Sequence, residues 1–247
     1  MTKRVALVTG GIGGIGTDVC RELCRQGRAV VAGHLPNEAE QAGAWRESMR
    51  TDGHEVDVVP GDVSDFESSA TMIRSVEERH GLIEILVNCA GITRDKTLRK
   101  MTPEDWKAVI NTNLDSVFNV TRNVINNMLE NGFGRIVNIS SVNGQKGQFG
   151  QTNYSAAKAG VHGFTMALAQ EVASKGITVN TVSPGYVDTP MTEEIPEDIK
   201  DQIVGGIPMR RMATAGEIAQ AVGFLCEDRT DYITGANLPV NGGMYMS

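Results

Sequence analysis

No long hydrophobic run occurs in this 247-residue sequence. The apolar stretch near the start, Val5 to Thr9, is too short for a membrane helix or the core of a signal peptide. A cytoplasmic protein with no membrane association is therefore expected. Positive charge is in short supply as well. The 23 Lys and Arg residues face 30 Asp and Glu, for a formal net charge of -7. A nucleic-acid surface needs a basic face, so no nucleic-acid partner is expected. Cysteine is sparse, with four residues, and no pair has the spacing of a zinc site. Cys20 and Cys24 fall one turn apart on a helix, Cys89 in a turn and Cys226 in a late helix. Reduced, buried thiols and no metal site are expected. Linkers, low-complexity tracts and internal repeats are also missing. The remaining composition, 40% hydrophobic and 21% charged, is that of an ordinary globular chain. One domain over 1–247 follows.

What the chain does have is rhythm. β-Branched runs at 4–9, 29–34, 55–60, 84–88, 135–140, 177–183 and 237–241 lack polar alternation, so they read as strands buried on both faces. Helical segments lie between them. "SDFE" at 64–67 and "TAGE" at 214–217 fit a capping box, and "TPED" at 102–105 places Pro after a Thr cap. Gly27, Gly53, Gly81 and Gly176 stand where helices should stop. Alternating strand and helix predicts an α/β fold, a doubly wound parallel sheet with helices on both faces. Residues 186–212, rich in Pro and charge, break the rhythm at the carboxyl edge of the sheet, where ligands bind in such folds. A lid is expected there.

"TGGIGGIG", residues 9–16, joins the first strand to the first helix. Gly11, Gly13 and Gly16 satisfy G-x-G-x-x-G. Glycine lets the backbone approach a pyrophosphate, and the helix start offers N–H groups to it. Gly10, Ile12, Gly13, Gly14, Ile15 and Gly16 are the candidate contacts. The second strand ends Gly33-His34-Leu35 without the acid that holds the ribose of NAD, which leaves room for a 2′-phosphate. Glu38 and Glu40 follow with no arginine, and they oppose one. "GDVSD" offers Gly61, Asp62 and Val63 to the adenine, and "NCAG" offers Asn88, Ala90 and Gly91 to the ribose side.

Tyr154 and Lys158 share a helix face. Val161, Leu168 and Val172 continue that stripe toward the sheet. A fixed ammonium beside a phenol favours phenolate, so Lys158 is expected to lower the pKa of Tyr154 toward neutrality. Alone, such a pair reads as a buried Tyr and a solvated Lys. Ser141 at the end of a buried strand, and Asn113 placed to hold a water for Lys158, turn the reading toward catalysis.

Together "TGGIGGIG", "NCAG", "NTNLDSVFNV", Ser141 before "YSAAK" and "SPGYVDT" resemble the short-chain dehydrogenase/reductase family over nearly the whole chain. The resemblance implies a Rossmann-type sheet of about seven strands, a nicotinamide cofactor and a catalytic tetrad of Asn113, Ser141, Tyr154 and Lys158. Tyr154 and Lys158 also join the cofactor site, with Pro184, Gly185 and Val187. It divides the chain into a cofactor half, 1–93, and a catalytic and substrate half, 94–247. NADPH is favoured as the family's usual choice, with NADH the other candidate. Cys89 departs from the pattern, since many members carry a second Asn there.

Within the family, "NCAGITRDKTLRKM" and "VNGQKGQFGQTNYS" resemble the bacterial acetoacetyl-CoA reductases of polyhydroxyalkanoate synthesis. That implies acetoacetyl-CoA as substrate and (R)-3-hydroxybutyryl-CoA as product. It also implies an acyl pocket of Gln148, Phe149, Gln151, Ser141, Gly185 and Tyr186 with Asp95 at its entrance. The sister group reduces acyl-carrier-protein thioesters and needs cations to dock an acidic carrier. Residues 129–133 supply none. A non-catalytic nucleotide sensor on this fold has no need of Tyr154 and Lys158 and is disfavoured. Ala156, Gly160, Gly163 and Ala167 form a small-residue stripe expected to pack on a partner subunit, in line with the family's usual homotetramer.

Overall fold

Each β-branched run pairs with its neighbours in one sheet. The computed structural model describes residues 3–193 and 196–246. Its main sheet joins β1 (Val5–Thr9), β2 (Ala29–His34), β3 (Val56–Pro60), β4 (Ile83–Asn88), β5 (Gly134–Ile139) and β6 (Ile177–Pro184). A late strand, Asn237–Val240, completes it. The strand order is β3-β2-β1-β4-β5-β6 and then the late strand, and every pairing is parallel. The order reverses between β1 and β4, which opens a crevice at the carboxyl ends of the strands.

The helices in chain order are α1 (Gly14–Arg25), α2 (Ala39–Thr51), α3 (Phe66–His80), α4 (Pro103–Ile110), α5 (Ser116–Asn131), α6 (Val142–Lys146) and α7 (Thr152–Val172). They are followed by α8 (Pro190–Glu193), α9 (Glu197–Gly206) and α10 (Ala215–Leu225). Strand residues alternate between two cores. Ala6, Val8, Val87, Val137 and Val182 meet Val19 and Leu23 of α1 and Ile218 and Val222 of α10. Leu7, Leu86, Ile136 and Val179 meet Met72 of α3, Val120 and Val124 of α5 and Val172 of α7. Helices therefore cover both faces, which is why the strands read as continuously apolar. Among the described residues no helix is long and apolar enough to cross a membrane.

Thr102 and Thr214 cap their helices through reciprocal boxes with Asp105 and Glu217. The expected box at 64–67 is displaced by one residue. Asp65, not Ser64, is the cap, and its carboxylate accepts from the Ser68 N–H at 2.7 Å. The long helix around Asn113 is interrupted by a π-turn, Asn111–Asp115, between α4 and α5. Such turns recur at functional sites. At the amino edge, the Arg135 side chain is buried and donates to the carbonyls of Gly134, Gly176, Glu227 and Asp228, tying β5 to the chain after α10.

The segment 186–212 is more ordered than an open loop. A two-residue strand β7 (Val187–Asp188) pairs in parallel with β8 (Ala213–Thr214), closing the base of the segment, while α8 and α9 build its body. Residues 194–195 of the expected lid lie outside the described residues. With β7 and β8 numbered, the late strand Asn237–Val240 is β9.

Candidate active site

The glycine turn after β1 is shaped by close approach. A Cβ at Gly11 would stand 2.7 Å from that of Ala32, and one at Gly16 would overlap the Gly10 carbonyl. Gly10 has φ of +60°, and a Cβ there would press to 2.9 Å from Ala90 Cα. Gly13 caps α1 with no side chain to satisfy the first N–H groups of the helix. Ile12 and Ile15 anchor the turn against the core. A bare, side-chain-free cradle at a helix start fits a dinucleotide pyrophosphate.

Neighbouring loops close on this cradle. The Gly33 carbonyl accepts from Gly11 N at 3.0 Å, and the His34 carbonyl from Gly61 N at 2.8 Å. Asp62 Oδ1 accepts from Ser64 N and Oγ, and the Val63 carbonyl from Asn119 Nδ2, so the turn after β3 is stiff. Thr9 Oγ1 accepts from the N–H groups of Cys89 and Ala90 at 3.1 and 3.2 Å.

Asn88 differs from expectation. Its side chain is buried and points into the sheet, where Nδ2 donates to Asn138 Oδ1 at 2.8 Å and to Thr121 Oγ1 at 3.2 Å. Asn138 Nδ2 in turn donates to Thr165 Oγ1 of α7 at 2.9 Å. A buried polar chain thus ties the "NCAG" turn to the catalytic helix through Asn88 Nδ2.

Ser141 ends β5 as the cap of α6, where its Oγ accepts from Asn143 N at 3.1 Å. Tyr154 lies near the start of α7. Lys158, one turn on, is buried, and its Nζ donates to the Ile139 carbonyl at 2.8 Å. A Cβ at Gly91 would stand 3.2 Å from Asn113 Oδ1 and 3.6 Å from Lys158 Nζ, so these three residues converge on one point. Val161 and Val172 continue the buried stripe, with Leu168 half-buried against the same core.

Asn113 Oδ1 accepts from Ile92 N and its Nδ2 donates to Ile92 O, each at 2.8 Å, so its side chain clamps the loop that leaves "NCAG". One expectation is corrected here. The Tyr154 phenol is not driven toward neutrality. Burial pushes it up to about 12, against a Ser141 hydrogen bond that pulls down. Lys158 stands 5.7 Å from the Tyr154 ring centroid, its ammonium turned to Ile139. Burial lowers Lys158 itself to about 8. Desolvation outweighs the pair's mutual effect on both groups.

On the substrate side, Gln151 Nε2 donates to Asp95 Oδ2 at 2.7 Å, and Gln151 Oε1 accepts from Asn143 Nδ2 at 2.9 Å. Gln148 accepts from Lys146 at 3.0 Å. Burial raises Tyr154 and Tyr186, and the negative charge of Asp95 adds to both. Tyr186 lines a cavity of about 200 Å³ with Ile207, Met209 and Asn241, under the 186–212 segment. Gly185 N donates to the Val240 carbonyl at 2.9 Å, and Val187 is buried. Phe149 is the exception among the expected pocket residues, for its ring is 87% exposed.

The sequence reading missed three contributors. Asn138 was the one uncharged polar residue inside "RIVNI", and that was its signal. Thr9 gave none. Thr189 touches the cradle, since a Cβ at Gly14 would lie 2.8 Å from Thr189 Cβ. The four cysteines are unpaired, with Cys20 and Cys226 buried and Cys24 and Cys89 half-buried. Burial raises Cys89 to about 11, so it is a protonated thiol. Among the described residues no group of His, Cys, Asp and Glu is placed to hold a metal.

The family model described as short chain dehydrogenase matches residues 4–200. An acetoacetyl-CoA reductase of Allochromatium vinosum is 62% identical over 98% of this chain and 99% of its own length. Another from Cupriavidus necator is 53% identical over 100% of both. A 3-oxoacyl-acyl-carrier-protein reductase of Pseudomonas aeruginosa is 48% identical over 99% of this chain and 98% of its own. With a glycine cradle, a buried lysine one turn after a tyrosine and a serine at the same sheet edge, this chain belongs to the short-chain dehydrogenase family of nicotinamide-dependent oxidoreductases.

Proposed function

We propose that the chain reduces acetoacetyl-CoA to (R)-3-hydroxybutyryl-CoA in the cytoplasm, supplying polyhydroxybutyrate synthesis. The observation that carries this reading is the meeting of Ser141, Tyr154 and buried Lys158 beside a segment, 142–151, whose one charge is Lys146. A nicotinamide nucleotide held on the glycine cradle would supply the hydride for the ketone carbon. Ser141 Oγ accepts from Asn143 N, which leaves its O–H to donate to the ketone oxygen. Tyr154, held protonated at neutral pH, gives its proton to that oxygen as charge develops there. Lys158, anchored on the Ile139 carbonyl, holds the ribose and then steadies the phenolate. Asn113 fixes the turn at Ile92 that passes beside Lys158.

In this reading residues 1–93 mainly bind the nucleotide, 94–247 carry chemistry and substrate, and 186–212 form the lid. Asp95, Gln148, Gln151, Gly185 and Tyr186 surround the acyl group. Phe149, exposed in this structure, would have to turn inward to reach it. The assembly is a homotetramer that uses the exposed Ala156, Gly163 and Ala167 of α7, with Phe118 and Met166. Gly160 takes no part, because it faces Leu114 of its own chain. Light scattering that gave a 26.5 kDa particle at micromolar concentration would contradict the assembly.

Two assays test the function. Tyr154→Phe should lower kcat by about 100-fold or more while nucleotide binding persists. The ratio of kcat/KM for acetoacetyl-CoA to that for the acetoacetyl carrier protein should favour the coenzyme A ester. A preference for the carrier form would move the chain to the sister activity.

A further inference from the structure

The lack of an acid on β2 itself points to NADPH, but the fold alters that balance. After His34 the chain turns at once through Pro36–Glu38 into α2. The turn brings Glu38 back, so that its Oε2 accepts from Leu35 N at 2.9 Å. A carboxylate is thereby pinned at the carboxyl end of β2. This end adjoins the adenosine side of the cradle, since the Gly33 carbonyl accepts from Gly11 of the glycine turn and the His34 carbonyl from Gly61, just before Asp62.

Cations are missing from every segment around this rim. Residues 5–20, 29–45 and 56–73 contain no Lys or Arg. The next arginines on α1 and α2 are engaged elsewhere, Arg21 with Asp18 and Asp52 and Arg46 with Asp57. His34 is buried, and its Nδ1 donates to the Leu35 carbonyl at 2.8 Å. The amino end of α2 has no side-chain cap, and its N–H groups would attract an anion. Glu38 and the exposed Glu40 set two carboxylates at that same end.

We infer that the chain selects NADH over NADPH, with Glu38 as the discriminating residue. Its carboxylate accepts from the adenosine ribose 2′-hydroxyl, the role an acid on the second strand fills elsewhere. Glu38, Glu40 and Asp62, with no cation among them, repel a 2′-phosphate. This rests on the reading of the site as a nicotinamide-dependent reductase.

Calorimetric titration with NADH and NADPH, and with AMP and adenosine 2′,5′-bisphosphate, reads the selectivity without turnover. NADH and AMP should each bind at least about tenfold more tightly than the 2′-phosphorylated counterpart, a difference of about 1.4 kcal/mol. Glu38→Gln keeps an oxygen for the Leu35 N–H and removes the charge. It should narrow the ratio about threefold or more, chiefly by strengthening NADPH. Equal or tighter binding of NADPH by the wild-type chain overturns the selectivity alone. Binding of neither dinucleotide overturns the reductase reading with it. An unchanged ratio in Glu38→Gln overturns the assignment to Glu38.

Discussion

Replacing Lys158 with Met should separate stability from function, and its size follows from burial. Among the described residues the ammonium has no carboxylate beside it, and it donates to the Ile139 carbonyl at 2.8 Å. Its pKa falls from 10.5 to about 8 through desolvation. A depression of that extent means the folded chain bears about 3 kcal/mol of unfavourable free energy whenever the lysine is charged. Lys158→Met relieves this but leaves the Ile139 carbonyl without its donor, which costs about 1–3 kcal/mol. At neutral pH the variant should therefore be as stable as the parent, or up to about 2 kcal/mol more so, while losing turnover. The sign of the pH dependence is fixed. Below about 8 both folded and unfolded states hold the proton, and the penalty is complete. As pH rises toward 10.5 the folded state releases it first, so the parent gains stability relative to the variant. Between pH values of about 7 and 9.5 the gain is about 2 kcal/mol. Urea unfolding of both proteins at the two pH values measures it, and other titrating groups cancel in the difference. A difference that stays flat, or that moves against the parent as pH rises, refutes the argument from burial.

Other substitutions probe the remaining parts of the site. Gly16→Ala places a Cβ on the Gly10 carbonyl and should weaken nucleotide binding about tenfold or more, read by direct titration. Asn138→Leu takes one partner each from Asn88 Nδ2, which keeps Thr121, and from the Thr165 hydroxyl, which keeps Thr181; urea unfolding should register a loss of about 1–3 kcal/mol. Phe149→Ala should leave stability within about 0.5 kcal/mol, since the ring is 87% exposed, yet raise KM for acetoacetyl-CoA. An unchanged KM would remove Phe149 from the acyl pocket.

Much of the fold is legible because the physics is local. Strands such as "VALVT" and "ITVNTVSP" are buried on both faces, so they stand out from amphipathic helices without any knowledge of their partners. The Thr102 and Thr214 caps depend on residues three positions apart and are equally plain. The positions of Ser141, Tyr154 and Lys158 are legible because their spacing recurs with the motifs around them. What escaped depends on contacts distant in sequence. Asn138 bridges Asn88 and Thr165, which no local pattern reveals. The pairing of β7 with β8 rests on two residues at each end of a long excursion. The Tyr154 phenol was misjudged in direction because spacing gives a partner but not the degree of desolvation. Glu38 is legible in the sequence as a charge that opposes a 2′-phosphate, but not the turn that pins it on the Leu35 N–H.

The central claim is carbonyl reduction at Tyr154, and the most direct test is a single-turnover balance. Purified protein is mixed with acetoacetyl-CoA and a reduced nicotinamide nucleotide, and loss of the reduced nucleotide is followed alongside formation of 3-hydroxybutyryl-CoA resolved by chirality. The account predicts one reduced nucleotide consumed for each (R)-3-hydroxybutyryl-CoA formed, and no product above background from Tyr154→Phe. Absence of oxidation with NADH and with NADPH alike, or an undiminished rate in Tyr154→Phe, would contradict it.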